Sequence, residues 1–307
     1  MMGTPRIAVT VIGGFLGAGK TTLINRWLRD LDGARVMVLV NDFGALNIDA
    51  ELIAAREGDT LALSNGCICC QMGADLSQAL IGVLDRQPAP EELWIEASGV
   101  SDPGRIARLV RAAPEFDMRG VMVVVDALSI ASQLRDPLLH DTLAAQIQSA
   151  NCLLMSKTDL VQAHEVAQAE AALRALHPNA LVVHTLQGTA LAVSPDNPDL
   201  FSTAAKSCTP QIGHNRRFTA WTGSPSRTLP VEEWQRRLGA LPQQVLRLKG
   251  FVRSVEHGWS RVQWAGSRAS IEPCDAPQAT QATQASLVAV ALRGHLPRQA
   301  LESLLDA

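Results

Sequence analysis

The sequence predicts an α/β protein in which a doubly wound, mostly parallel sheet is followed by a smaller α+β domain. Apolar runs of strand length alternate with helical segments from residue 7 to 185, and the common solution to that alternation is a right-handed parallel sheet covered on both faces. Beyond residue 216 alternating strands dominate, which indicates an antiparallel sheet. We therefore predict a first domain at 1–187, a linker at 188–215 rich in proline and small polar residues, and a C-terminal domain at 216–307.

The most informative stretch follows the first apolar run, Ile7–Ile12. From Gly14 to Thr21 the chain reads G-x-x-x-x-G-K-T and continues with helical spacing, which is typical of a phosphate-binding loop. Glycines let successive backbone N–H groups turn toward an anion, and the following helix presents its positive dipole end there. The predicted nucleotide-binding residues of this loop are Gly14, Gly17, Ala18, Gly19, Lys20, Thr21 and Thr22. The fold class is thus a P-loop NTPase, with Lys20 on the β- and γ-phosphates and Thr21 on Mg²⁺.

Two further strands end in acidic residues. The carboxyl ends of strands in a doubly wound sheet border the ligand crevice, so Asp42 and Glu96 are both placed to meet the nucleotide or its metal. We predict that Glu96 orients Mg²⁺ and that the N–H of Gly99 senses the γ-phosphate. Asp42 is the candidate for positioning the attacking water, with an ordinary turn as the alternative. The predicted catalytic residues are Lys20, Asp42 and Glu96.

A later strand ends in Ser156, Lys157, Thr158 and Asp159. An acid here can accept hydrogen bonds from both N1–H and the N2 amino group of guanine, a pairing that adenine cannot make. A site built on that pair rejects the wrong base strongly, because the wrong base leaves its groups unpaired. We predict that Ser156, Lys157 and Asp159 bind the base and that the nucleotide is GTP. The alternative is an enzyme that uses ATP, and Ser156 is the residue of this segment that leaves the alternative open.

Three of the six cysteines, Cys67, Cys69 and Cys70, fall within four residues at a strand end ahead of a helix. Helix-end N–H groups lower thiol pKa values, and the thiolate binds soft or borderline metals. The spacing is too tight for a closed four-cysteine site, so we expect an open site that suits loading and release. Inert buried cysteines and redox exchange between Cys69 and Cys70 are the alternatives.

Composition restricts the partners. A net charge of −3 over 307 residues, with scattered arginines, gives no electrostatic reason to expect nucleic acid. No apolar run approaches membrane length, and the first strand begins almost at once without a leader pattern. We therefore expect a cytoplasmic protein with no nucleic-acid or membrane partner, and leave homo-oligomers open.

Taken in order, the phosphate loop, Asn41-Asp42-Phe43-Gly44, Gly66-Cys67-Ile68-Cys69-Cys70, Glu96-x-x-Gly99 and Ser156-Lys157-Thr158-Asp159 closely resemble the CobW-type GTPases. The segments Leu246–Phe251 and Leu292–Pro297 resemble the C-terminal domain of that family. The resemblance implies a slow GTPase that binds zinc or cobalt at Cys67, Cys69 and Cys70 and delivers it to a client metalloprotein.

The chain departs from the family pattern at three points. Asp42 and Ala45 stand where the family usually has glutamates, Ser156 replaces the common asparagine, and the histidine-rich tract of several members is missing. We expect Ser156 to position the phosphate loop more weakly than asparagine does. The alternative function is a GTP-dependent regulatory switch whose cysteines are structural or redox residues.

Overall fold

The computed structural model describes residues 6–30, 35–41, 60–63, 72–185, 218–242, 244–265, 268–276 and 285–305. Within them the chain forms two sheets, one on each side of the 186–217 gap.

The N-terminal sheet has seven strands, and all pairings between its described strands are parallel. They are β1 Ile7–Gly14, β2 Val36–Asn41, β3 Thr60–Leu63, β4 Glu92–Glu96, β5 Phe116–Asp126, β6 Cys152–Ser156 and β7 Leu181–His184. Their order in the sheet is β3-β2-β4-β1-β5-β6-β7. All eight residues of β1 are buried, as expected of a parallel strand covered on both faces.

Six helices accompany these strands in the described part. They are α1 Lys20–Asp30, α2 Met72–Leu84, α3 Pro103–Arg111, α4 Ile130–Gln133, α5 His140–Ser149 and α6 Ala163–Leu176. Local chemistry explains where α3 begins: the Asp102 carboxylate accepts a 2.8 Å hydrogen bond from the backbone N–H of Gly104, and Pro103 occupies the first turn. The cap therefore sets the start of α3, the helix that follows β4, and β4 ends at Glu96.

The C-terminal sheet is antiparallel apart from one short strand. Its strands are β8 Phe218–Gly223, β9 Thr228–Leu229, β10 Val245–Ser254, β11 Gly258–Ala265, β12 Arg268–Pro273 and β13 Ser286–Leu292. The main order is β12-β11-β10-β13-β8, and β9 pairs in parallel with β10. Helices α7 Val231–Gly239 and α8 Arg298–Glu302 contribute Trp234, Leu238 and Leu301 to the core that covers one face of this sheet.

The other face of the C-terminal sheet turns toward the N-terminal sheet. Phe218 and Val290 belong to the same buried cluster as residues of β1 and β5. The Phe218 ring lies 6.5 Å from the ring of Phe15 in the phosphate loop, centroid to centroid and tilted by 58°. This contact fixes the C-terminal sheet beside the loop.

The predicted fold class is confirmed: a parallel sheet with helices is followed by a separate antiparallel sheet. β5 begins at Phe116, ahead of its apolar run 121–125, and the last helix, α8, is short. β12 carries charged and polar residues at the sheet edge, where apolar patterning is weak. The domain boundaries stay predictions, and the linker 188–215 lies outside the described residues.

None of the helices that the structure describes is long and apolar enough to cross a membrane.

Candidate functional site

The phosphate loop occupies residues 15–19 between β1 and α1. Gly14, Gly17 and Gly19 have φ angles of 134°, 79° and 98°, in the region that side chains rarely adopt. A Cβ at Gly14 would lie 2.3 Å from the carbonyl oxygen of Val124, so this position also needs glycine for space. The predicted loop residues from Gly14 to Thr22 therefore form one continuous turn onto the N-terminus of α1.

Lys20, Thr21 and Glu96 lie together where α1 begins. The Lys20 side chain is buried, and its Nζ donates hydrogen bonds to the carbonyl oxygens of Gly14 at 2.8 Å and Phe15 at 3.4 Å. The Thr21 hydroxyl donates a 2.9 Å hydrogen bond to Oε1 of Glu96, a carboxylate that is only 3% exposed at the end of β4. A hydroxyl and a carboxylate side by side are the hard oxygen ligands that Mg²⁺ prefers.

Gly99 lies against the phosphate loop, three residues after Glu96. A Cβ at Gly99 would come within 2.4 Å of Leu16 Cδ2 and 3.0 Å of Leu16 Cα. The segment is also held from α5, because the buried Gln146 donates through Nε2 to the carbonyl oxygens of Gly99 at 3.2 Å and Ser101 at 2.9 Å. A movement of Gly99 is therefore coupled to the loop on one side and to α5 on the other.

The predicted base-recognition segment begins at the end of β6 and is hydrogen-bonded to the phosphate loop. The Ser156 hydroxyl donates to the carbonyl oxygen of Ala18 at 2.7 Å, and Lys157 Nζ donates to that of Gly17 at 2.9 Å. Lys157 also forms a 2.6 Å ion pair with Asp126. Lys157 has a left-handed backbone with φ of 60°, and Asp159 follows on an exposed 3₁₀ turn. The hydroxyl of Ser156 thus still reaches the loop.

A cavity of about 340 Å³ opens over the loop. Its N-terminal lining consists of Gly17, Gly19, Lys20, Thr21, Thr22, Asn25, Arg29 and Lys157. The C-terminal sheet closes the other side with Arg247, Arg261 and Gln263. The cavity therefore joins phosphate-loop residues, Lys157 and a wall of the second sheet.

Four predicted site residues, Asp42, Cys67, Cys69 and Cys70, lie outside the described residues. In the part of the chain that the structure describes, no group of three or more His, Cys, Asp or Glu residues is arranged to hold a metal ion. Cys152 is fully buried in β6, and burial raises the pKa of its thiol to about 12. A thiol in that environment stays protonated at neutral pH in the folded chain.

Sequence reasoning missed several residues of this site. Gln146, Asp126 and the three cavity residues of the C-terminal sheet carry no motif that marks them. Asp126 ends an apolar strand, a signal that could have placed it at the crevice. Nothing in the local pattern around Gln146 or Arg261 could have done so.

The fold and the site define a P-loop nucleotide-binding protein. The chain belongs to the CobW family: residues 8–184 match the family model for the CobW/HypB/UreG nucleotide-binding domain, and residues 218–307 match that for the cobalamin synthesis protein cobW C-terminal domain.

Curated relatives match a shorter stretch. The zinc chaperone CobW of Sinorhizobium sp is 33% identical over 186 residues, 52% of either chain. The zinc chaperone YjiA of Escherichia coli is 33% identical over 187 residues, 58% of either chain. The zinc-regulated GTPase metalloprotein activator 1 of Schizosaccharomyces pombe is 31% identical over 192 residues, 59% of this chain and 46% of the relative. The chain thus spans about half the length of the curated relatives it matches.

A solved structure aligns over more of the chain than these relatives do, but at a lower sequence identity. The Zn(II)-bound YjiA GTPase from E. coli covers 98% of this chain, and the chain covers 99% of it, with a TM-score of 0.49 and 22% identity.

Proposed function

We propose that the protein is a GTP-hydrolysing metallochaperone that binds zinc and delivers it to client proteins. The observation that carries the nucleotide half is the Thr21–Glu96 contact beside Lys20, on a loop that is tied to the base-recognition segment. The metal half is supported by relatives whose names describe zinc chaperones and a zinc-regulated GTPase. Cobalt is the other metal that the cysteine chemistry admits.

GTP is the nucleotide that the described residues favour. Lys20 would neutralise the β- and γ-phosphates, and backbone N–H groups from Gly17 to Thr22 would cradle them. Asp159 would accept from the guanine edge, and Lys157 would lie along the base. Because Lys157 already bonds Gly17, base recognition and phosphate binding share one side chain.

Mg²⁺ fits the donor set at the start of α1. Thr21 and Glu96 would hold it, Thr21 directly and Glu96 beside it, and the ion would neutralise charge on the phosphate oxygens during transfer. Glu96 is buried where its carboxylate is shielded from bulk water, which strengthens its interaction with a cation. Asp42 remains the candidate for positioning the attacking water.

Zinc is the cargo, and Cys67, Cys69 and Cys70 are its proposed ligands. In the sequence they come after β3 and before α2, and β3 runs parallel to β2 and β4 in the sheet. The carboxyl ends of parallel strands share one side of the sheet, so the described end of β3 lies on the side where the nucleotide would bind. Nucleotide-dependent ordering of such segments is a common switch in GTP-binding proteins.

Equilibrium dialysis of zinc tests the coupling. We expect the affinity of the wild-type chain for zinc to differ at least about tenfold between the GTP-analogue-bound and nucleotide-free states, a factor within the usual range of coupling free energies. Replacing Cys67, Cys69 and Cys70 together by serine should abolish the bound zinc, and Cys274→Ser is the control that should leave it unchanged. Equal zinc affinity in both nucleotide states would reject the chaperone cycle.

The triple serine variant also distinguishes the metallochaperone from the alternative function, a GTP-dependent regulatory switch. A regulatory switch predicts that the triple serine variant keeps its metal content and its GTP-dependent partner binding. Competition of ATP against GTP for the nucleotide-free protein decides the base, because a guanine-specific site should discriminate by more than about a hundredfold.

A further inference from the structure

The cavity over the phosphate loop extends past the residues that a triphosphate needs. Thr22, Asn25 and Arg29 are spaced by three and four along α1, so they share one face of the helix. All three line the cavity, which therefore runs from the loop along α1. Arg247, Arg261 and Gln263 form the wall that faces this stripe.

The register of the C-terminal sheet places those three side chains on a single face. Lys249 pairs with Gln263 and Phe251 with Arg261 across β10 and β11. Directly opposite residues share a face, and residues two apart along a strand do so as well, which adds Arg247. The opposite face holds the core against α7 and α8, so the arginine face is the one left to meet the loop.

The lining is strongly positive. Five of its eleven residues are basic and none is acidic, counting the described residues: Lys20, Arg29, Lys157, Arg247 and Arg261. Asp126 approaches Lys157 and Glu272 approaches Arg261, each at 2.6 Å, from outside the lining. Arg261 and Glu272 are directly opposite each other on β11 and β12, and their hydrogen bond lowers the pKa of the Glu272 carboxyl.

Apolar contacts also hold the wall formed by Arg247, Arg261 and Gln263 in position. Phe218 packs against Phe15, a residue of the phosphate loop, and Val290 joins the core of the N-terminal sheet. β13 carries Val290 and pairs Val290 with Arg247. The pairing of β10 with β13 thus connects Arg247 to the apolar contacts that hold the C-terminal sheet beside the phosphate loop.

We propose that the C-terminal sheet is part of the nucleotide site: Arg247 and Arg261 bind the α-phosphate and Gln263 the sugar of the guanine nucleotide whose outer phosphates Lys20 holds. Guanidinium groups match phosphate oxygens in geometry and charge, and a glutamine amide can both donate to and accept from sugar hydroxyls. Bound nucleotide then bridges the two sheets. This inference rests on the proposed function for the identity of the nucleotide.

Equilibrium titration with a fluorescent GDP and with a non-hydrolysable GTP analogue tests the proposal on the full chain. Arg247→Ala and Arg261→Ala should each weaken binding by about threefold to thirtyfold, allowing for partial exposure of the side chains. Arg247→Lys should recover part of the affinity because it keeps the charge. The loss should shrink as salt is raised, since the missing contact is electrostatic.

Arg253→Ala is the matched control. It lies on the same strand β10, but its guanidinium stacks over the Trp259 ring at 4.5 Å and does not line the cavity. Its nucleotide affinity should stay within twofold of the wild type. Thermal unfolding without nucleotide checks that each variant folds, and the nucleotide-induced rise in Tm gives a second reading of affinity.

The outcomes separate the two proposals. If the wild type binds guanine nucleotide and both alanine variants bind it within twofold as tightly, the wall is not part of the site and the proposed function stands. If the wild type binds no guanine nucleotide, the proposed function and this inference both fail.

Discussion

The hydroxyl of Ser156 donates a 2.7 Å hydrogen bond to the carbonyl oxygen of Ala18, so a residue at the end of β6 anchors the phosphate loop 138 positions earlier in the chain. The same hydroxyl lies 3.2 Å from the carbonyl oxygen of Val125 and is buried. Ser156, which stands where the family commonly has asparagine, therefore links the predicted base-recognition segment to the phosphate loop through a shorter side chain.

Ser156→Ala should weaken GTP binding about twofold to tenfold, because one buried neutral hydrogen bond contributes roughly 0.5–1.5 kcal/mol. The measurement is the dissociation constant of a fluorescent GTP analogue. Ser132→Ala is the control, since its hydroxyl bonds the carbonyl of Ser129 on the exposed surface. Equal affinities for all three proteins would mean that the Ser156 bond does not support the loop.

Glu96→Gln should reduce the GTPase rate about tenfold to a hundredfold and shift its Mg²⁺ dependence to higher concentration. The amide keeps the shape of the side chain but removes the charge beside the ion, and residues that orient a metal typically cost this much when altered. The test is a Mg²⁺ titration of the hydrolysis rate. Glu91→Gln, which alters an exposed carboxylate paired with Arg35, should behave as the wild type. An unchanged Mg²⁺ midpoint in Glu96→Gln would remove this residue from the metal site.

Gly99→Ala should destabilise the fold by about 1–3 kcal/mol, because the new methyl group would lie 2.4 Å from Leu16 Cδ2 and 3.0 Å from Leu16 Cα, so that the phosphate loop or the Gly99 segment must shift. Urea unfolding measures the effect. Gly82→Ala on α2 is the opposite case: its Cβ would meet nothing within 4 Å, and alanine in a helix should stabilise by about 0.5–1 kcal/mol. A Gly99→Ala protein as stable as the wild type would show that the loop yields at Leu16.

Gln146→Leu should leave the carbonyls of Gly99 and Ser101 without their donor, at a cost of about 1–3 kcal/mol in the free energy of unfolding. Because Gly99 belongs to the segment that is proposed to sense the γ-phosphate, GTP hydrolysis should slow as well. Gln168→Leu changes an exposed glutamine on α6 and should alter neither quantity. A stable Gln146→Leu variant with a normal rate would contradict the role of Gln146 in holding the segment.

Cys152 should resist thiol reagents in the folded protein. Its pKa is raised to about 12 in the fold, against 9.0 for an ordinary cysteine, so above pH 9 the unfolded chain loses this proton first. The Cys152 contribution to stability is therefore complete below about pH 9 and declines as the pH rises from there toward 12.

The measurement uses a variant in which the other five cysteines are serine. Labelling with Ellman's reagent at pH 8 should be negligible in buffer. It should be complete in about 8 M urea, which is enough to unfold a domain of this kind. Rapid labelling of the folded variant would mean that β6 opens to solvent, and Cys152 would then have to be considered beside the cysteine loop.

The sequence by itself determined the parallel sheet, the phosphate loop and the placement of Glu96 and Ser156 at strand ends, with Asp159 just beyond the second of them. Apolar runs of strand length and a motif with fixed spacing are local signals, which can be recognised in the sequence without knowledge of the fold. It also marked Cys67, Cys69 and Cys70 as a group, whose role stays a prediction.

Only the tertiary structure decided that Arg247, Arg261 and Gln263 face the phosphate loop and that Gln146 holds Gly99. These residues lie on other elements, far along the chain, and no spacing relates them to Gly14–Thr21. Their positions follow from the register of β10 against β11 and from the packing of Phe218 on Phe15. Such contacts depend on which face of a sheet is left uncovered after its helices have packed, which is a property of the whole fold.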